Sequence, residues 1–143
     1  MRLCCNNEDG GAGMMSYASL EIVTMLALLE YAALGLMVGR ARAKYKVDAP
    51  ATTGNPEFER YFRVHQNTLE ALIVFIPAVW IFSLSVNYQI GVALGVLFLL
   101  GRILYANGYL NAPEKRGPGA IVTLAINSIL MLGGLGALLI AAV

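Results

Sequence analysis

The chain has 143 residues, one domain's worth, of which 58% are hydrophobic and 13% charged, against about 25% charged in ordinary soluble domains. A domain this small has too much surface for its volume to hide that much apolar area from water, so its solvent is lipid. A formal net charge of +1 excludes a strongly basic chain that binds nucleic acid by neutralising phosphates, and the hydrophobicity excludes disorder.

Met1 to Gly13 is polar and Gly-rich. It is expected to be a disordered tail or a mis-assigned extension, with the domain at 14–143 and the true start at Met14 or Met15. Cys4 and Cys5 are adjacent, which suits neither a disulfide framework nor a metal site. An exposed tail and a lipidated membrane-proximal pair both remain open.

Four transmembrane helices follow, since a span needs about 20 mostly apolar residues. The first is predicted from about Tyr17 to Gly39, ended by Arg40, Arg42, Lys44 and Lys46. A linker with Pro50, Gly54 and Pro56 comes next. Helix two starts with Asn55 as N-cap, Pro56 at the first position and Glu57 and Glu59 at the positive end of the dipole. It ends near Leu84, with Pro77 inside it as an expected kink. The polar patch Ser83, Ser85, Asn87, Tyr88 and Gln89 separates it from helix three, which runs from about Gln89 to Leu110. After the loop NAPEKRGPG, Gly117 and Pro118 open helix four. The fold class is all-α, an integral-membrane four-helix bundle. Lys and Arg concentrate in loops one and three, which places those loops in the cytoplasm.

Function is expected where ionisable groups persist in lipid despite their cost. In helix two, Arg60, Arg63, Asn67 and Glu70 recur at spacings of three, four and three, so they share one stripe. Such a stripe suits a ligand with carboxylates and an ammonium, because Arg holds carboxylates bidentately and Glu accepts from amines. The plainer alternative is a polar network between helices, with Glu59 pairing Arg63. His65 lies around the helix from the stripe, as an interfacial histidine or a proton carrier. One histidine makes no metal site, and none is expected. In helix three, Arg102, Tyr105 and Tyr109 share a face, as an aromatic belt or as ligand donors with the arginine paired to a glutamate. Glu30 is mid-span and needs a partner. Asn127 and Ser128 are expected to bond between helices, and Gly91 with Gly95 and Gly133 with Ala137 to let helices approach.

NPEFERYFRVHQNTLE, with GRILYANGY and a KR pair downstream, resembles the MAPEG superfamily, membrane-associated proteins in eicosanoid and glutathione metabolism. The motifs cover Gly39 to Gly117, and the span pattern covers Met14 to Val143. The likeness is to a bacterial-type, microsomal glutathione transferase-like member. It implies a homotrimer that binds glutathione between subunits near the cytoplasmic side, with an inner-membrane location if bacterial. Arg63, Asn67 and Glu70 match glutathione-binding positions, as do Tyr105 and Tyr109. His65 matches a further contact, and Arg42 falls near a basic position at the end of helix one. Arg116 matches the arginine that activates the thiol. A thiol pKa near 8.5 falls beside a cation, and a drop of about 2 units corresponds to about 2.7 kcal/mol. Ala71 departs from relatives that carry tyrosine after the glutamate. The implied activity is glutathione conjugation to a lipophilic electrophile, with reduction of lipid hydroperoxides as a related activity. A non-catalytic lipid-binding or scaffold protein of the same fold is the alternative.

Overall fold

The computed structural model describes residues 9–143, with side chains from Ala18 onward. The expectations for the Met1–Gly13 tail and for Cys4 and Cys5 lie outside the residues with described side chains. The elements are α1 (Asp9–Tyr45), α2 (Pro56–Ser85), α3 (Tyr88–Asn111) and α4 (Gly117–Ala141), with one 3-10 turn at Pro113–Arg116. All four helices are long and apolar enough to cross a membrane.

The helix boundaries follow from local chemistry. Asn55 caps α2: its side-chain oxygen accepts from the backbone N–H of Glu57 at 2.9 Å and Phe58 at 3.1 Å. Asn87 does the same for α3, accepting from Ile90 at 3.0 Å. That cap is why the polar patch divides one long apolar run into two spans. The first helix is the main departure. It continues past Gly39 through the basic stretch to Tyr45. Arg and Lys are good helix formers, and cations favour the negative end of the helix dipole. Helix α2 is continuous through Pro77.

The α2–α3 pair packs against both outer helices, α1 and α4. Phe75 and Phe98 stack face to face at 3.8 Å in its centre. Leu20, Val23, Val79, Ile126 and Leu130 close around them. The outer surface stays apolar: Leu124 is 70% and Ile140 81% exposed. In water that would be an interaction patch; along a membrane span it is the lipid face.

Small residues set two of the close approaches. A Cβ on Gly95 would meet Val23 of α1 at 2.6 Å. One on Gly119 of α4 would collide with the backbone of Tyr105 on α3. Asn127 bonds between helices as expected, donating to the Ala71 carbonyl at 3.2 Å. Ser128 does not: its hydroxyl donates to Leu124 in its own helix at 2.9 Å. A short hydroxyl reaches the carbonyl four residues back more easily than a neighbouring helix.

Candidate functional site

Antiparallel alternation brings the C-terminal ends of α1 and α3 together with the N-terminal ends of α2 and α4. This end carries the basic and acidic residues that the apolar spans lack. Within it, four of the sequence-predicted residues form one line. The Asn67 amide on α2 donates to the Tyr105 hydroxyl on α3. The Tyr105 and Tyr109 rings follow at 5.8 Å, tilted by 57°. The Arg116 guanidinium, at the entry to α4, lies 5.2 Å from the centre of the Tyr109 ring. Gly108 lets this corner close, because a Cβ there would press on the Lys115 carbonyl at 2.5 Å.

Arg63 and Glu70 stand one turn to either side of Asn67 on the same stripe of α2. Both are exposed. Glu70 accepts only a long bond from Gln66, at 3.4 Å. Arg63 forms no hydrogen bond or ion pair among the described residues. The Glu59–Arg63 pair of the plainer alternative does not form. Glu59 instead accepts from the backbone N–H of Gly54 at 3.0 Å, closing the linker, while Arg60 pairs with Glu57 at 3.3 Å. The stripe therefore presents a free guanidinium, an amide and an accessible carboxylate outward.

The other two predicted binding residues sit elsewhere. His65 is rotated about 160° around α2 from Asn67, at 100° per residue. It stacks on Tyr31 of α1 at 4.3 Å, with the rings 12° from parallel. Arg42 folds over loop one: its Nη1 donates to the carbonyls of Val47 at 3.1 Å, Asp48 at 3.1 Å and Ala51 at 2.8 Å. Its guanidinium also lies 4.7 Å over the Phe58 ring. Arg42 thus organises the loop that leads into α2.

Beneath the line lies a buried charge. Arg102 is 3% exposed. It donates to the Thr68 hydroxyl and lies 4.2 Å over the Tyr105 ring. Its Nε has no acceptor. Thr68 passes the bond on to the Val64 carbonyl at 2.7 Å. Glu30 borders a groove between α1 and α3, where its carboxylate and Arg102 attract one another. Glu30 forms no ion pair among the described residues, so the partner expected for it is not found there. Thr68 and Tyr31 were missed from sequence. Thr68 had one signal, a hydroxyl next to Asn67 on the buried side; Tyr31 had none that periodicity exposes.

The stripe also continues into the membrane. Val74, Ala78 and Ile81 follow Asn67 at seven, eleven and fourteen residues, hence on its face. With Leu130, Met131 and Leu135 of α4 they line an apolar groove of about 300 Å³. No group of three or more His, Cys, Asp or Glu comes together among the described residues.

Comparison with known proteins agrees with this architecture. A family model described as MAPEG family matches residues 20–136. An uncharacterized protein of Synechocystis sp. is 49% identical over 114 residues, covering 80% of this chain and 83% of that one. Human microsomal glutathione S-transferase 2 is 43% identical over 118 residues, covering 82% and 80%. Bovine leukotriene C4 synthase is 33% identical over 99 residues, covering 69% and 66%.

Proposed function

This chain belongs to the MAPEG family, and on that premise we propose that it is a membrane glutathione transferase acting on lipophilic electrophiles. The observation that carries the reading is the line Asn67–Tyr105–Tyr109–Arg116, flanked by the accessible Arg63 and Glu70. Glutathione has two carboxylates, an ammonium and a thiol. Arg63 holds a carboxylate, Glu70 accepts from the ammonium, and Asn67 and the tyrosines bond the peptide groups. Arg116, a cation beyond Tyr109, stabilises the sulfur as thiolate. The thiolate attacks an electrophilic carbon, an S–C bond forms, and the displaced group leaves with its electron pair. The thiol proton passes to solvent. Holding both reactants in place removes several kcal/mol from the barrier. The apolar α2–α4 groove offers the electrophile a path from the bilayer on the same face.

The reading extends to assembly. His65 and Arg42 face away from the Asn67 stripe within one subunit. One glutathione can meet both sets only where the stripe of one copy faces α1 of another. That split supports a homotrimer with its sites at the subunit boundaries. The excess of Lys and Arg at the charged end favours a cytoplasmic placement for loops one and three, and an inner-membrane location follows if the source is bacterial.

The test is an assay of the detergent-purified protein with glutathione, a chlorodinitrobenzene electrophile and a lipid hydroperoxide. Conjugation that saturates with glutathione is expected. No turnover and no glutathione binding would replace this reading with a lipid-binding scaffold.

A further inference from the structure

His65 is a proposed glutathione contact, yet among the described residues no hydrogen bond or ion pair holds its ring. Its direction is set from α1. The Tyr31 ring lies against it, with centroids 4.3 Å apart and planes 12° from parallel. Gly35 stands one turn further along α1. A Cβ there would lie 3.3 Å from His65 Nε2 and 3.7 Å from Cδ2. One edge of the imidazole therefore rests on the bare backbone of Gly35, and the opposite edge, with Nδ1, is turned away from it. Both rings are half-buried.

Tyr31, Gly35, Val38 and Arg42 recur at spacings of four, three and four, so they share one stripe of α1. That stripe faces α2. Tyr31 and Gly35 meet His65, Val38 packs on the cluster around Phe58, and Arg42 lies over the Phe58 ring. His65 and Arg42, the two proposed contacts that lie away from the Asn67 stripe, thus belong to one α1–α2 seam. Tyr31 closes its deeper end, about 16 Å along α1 from Arg42 at 1.5 Å per residue.

We propose that Tyr31 is a positioning residue of the glutathione site, acting through His65. The inference rests on the transferase reading and on sites shared between copies. A stack fixes the plane of the imidazole and Gly35 fixes its edge, so the ring nitrogens keep one direction before a ligand arrives. A loose side chain would have to be ordered on binding, at a cost in affinity. The strength of a near-parallel aromatic pair corresponds to about two- to tenfold in affinity. The ring face of Tyr31 supplies this effect, and its hydroxyl is not needed for it.

The test uses the full chain in detergent. Glutathione is varied at saturating chlorodinitrobenzene, and unfolding is followed in parallel. Tyr31→Leu is expected to raise the glutathione KM about two- to tenfold, with kcat changed less than about twofold. Tyr31→Phe keeps the parent KM, because it keeps the stack. In a His65→Ala chain, Tyr31→Leu adds nothing further to KM. Gly35→Ala leaves both rings in place and favours the helix, so stability is kept, while the added Cβ shifts the imidazole and raises KM. The proposal is overturned if Tyr31→Leu lowers stability but leaves KM unchanged, which makes the stack packing alone. It is also overturned if Tyr31→Phe loses as much as Tyr31→Leu, which makes the hydroxyl itself the contact, or if Tyr31→Leu costs the same in the His65→Ala chain. A parent chain that neither binds nor turns over glutathione overturns the transferase reading itself, and this inference with it.

Discussion

Arg116→Ala isolates the step that separates a transferase from a binding protein. Two unit charges about 4 Å apart attract by about 1 kcal/mol in water and about 4 kcal/mol at an effective dielectric of 20. Arg116 is exposed within the subunit, so the weaker half of that range applies, about 1–2 kcal/mol. That corresponds to about one pKa unit, half of what a buried cation beside the sulfur would suggest. A cation favours the anion, so on the proposed reading Arg116 lowers the thiol pKa of bound glutathione and its loss raises it. Starting from a free thiol near 8.5, bound glutathione is expected to titrate at about 7.5 in the parent and about 8.5 in the variant. At pH 7 the thiolate then falls from about a quarter to about 3% of the bound co-substrate, and turnover falls about eightfold. At pH 9.5 the two enzymes converge, because both thiols are ionised. The readouts are the ultraviolet thiolate absorbance and turnover, each followed across pH, with glutathione affinity measured separately. Affinity should change less than about twofold, and Arg116→Lys should restore most of the shift. A thiolate titration that does not move in Arg116→Ala would remove Arg116 from the chemistry.

Three further outcomes follow from the geometry. Thr68→Val removes the only hydrogen-bond acceptor that the buried Arg102 has among the described residues; the expected loss is about 1.5–3 kcal/mol of stability, read by unfolding in detergent, and a negligible loss would mean that water reaches the guanidinium. Co-expression of Asn67→Ala and His65→Ala chains should rebuild about a quarter of the sites if each site takes one face from each of two copies; activity no higher than the two variants alone would confine the site to a single subunit. Leu135→Trp fills the α2–α4 groove, so it should raise KM for a long-chain electrophile while leaving a small aromatic one nearly unaffected. Equal effects on both would detach the groove from the substrate.

The elements were largely legible because their causes are local. Asn55 caps the next two amides whatever the rest of the chain does, and Asn87 divides an uncharged run for the same reason. The stripe Arg63–Asn67–Glu70 was legible because helical spacing alone places residues on one face. The end of α1 was less so: a run of cations reads as an interface, yet it is also a good helix terminus, and the helix continued to Tyr45.

What the sequence by itself determined was the solvent, the number of spans and which side chains share a helix face. Those depend on composition and on a period of 3.6 residues. Only the tertiary structure decided which faces meet. It joined Asn67 to Tyr105 across two helices, turned His65 toward Tyr31 and bound Arg42 to the linker. Such pairings depend on helix rotation and on close approaches such as that of Gly119 to Tyr105. They are set by packing between segments distant in sequence, which no local spacing encodes.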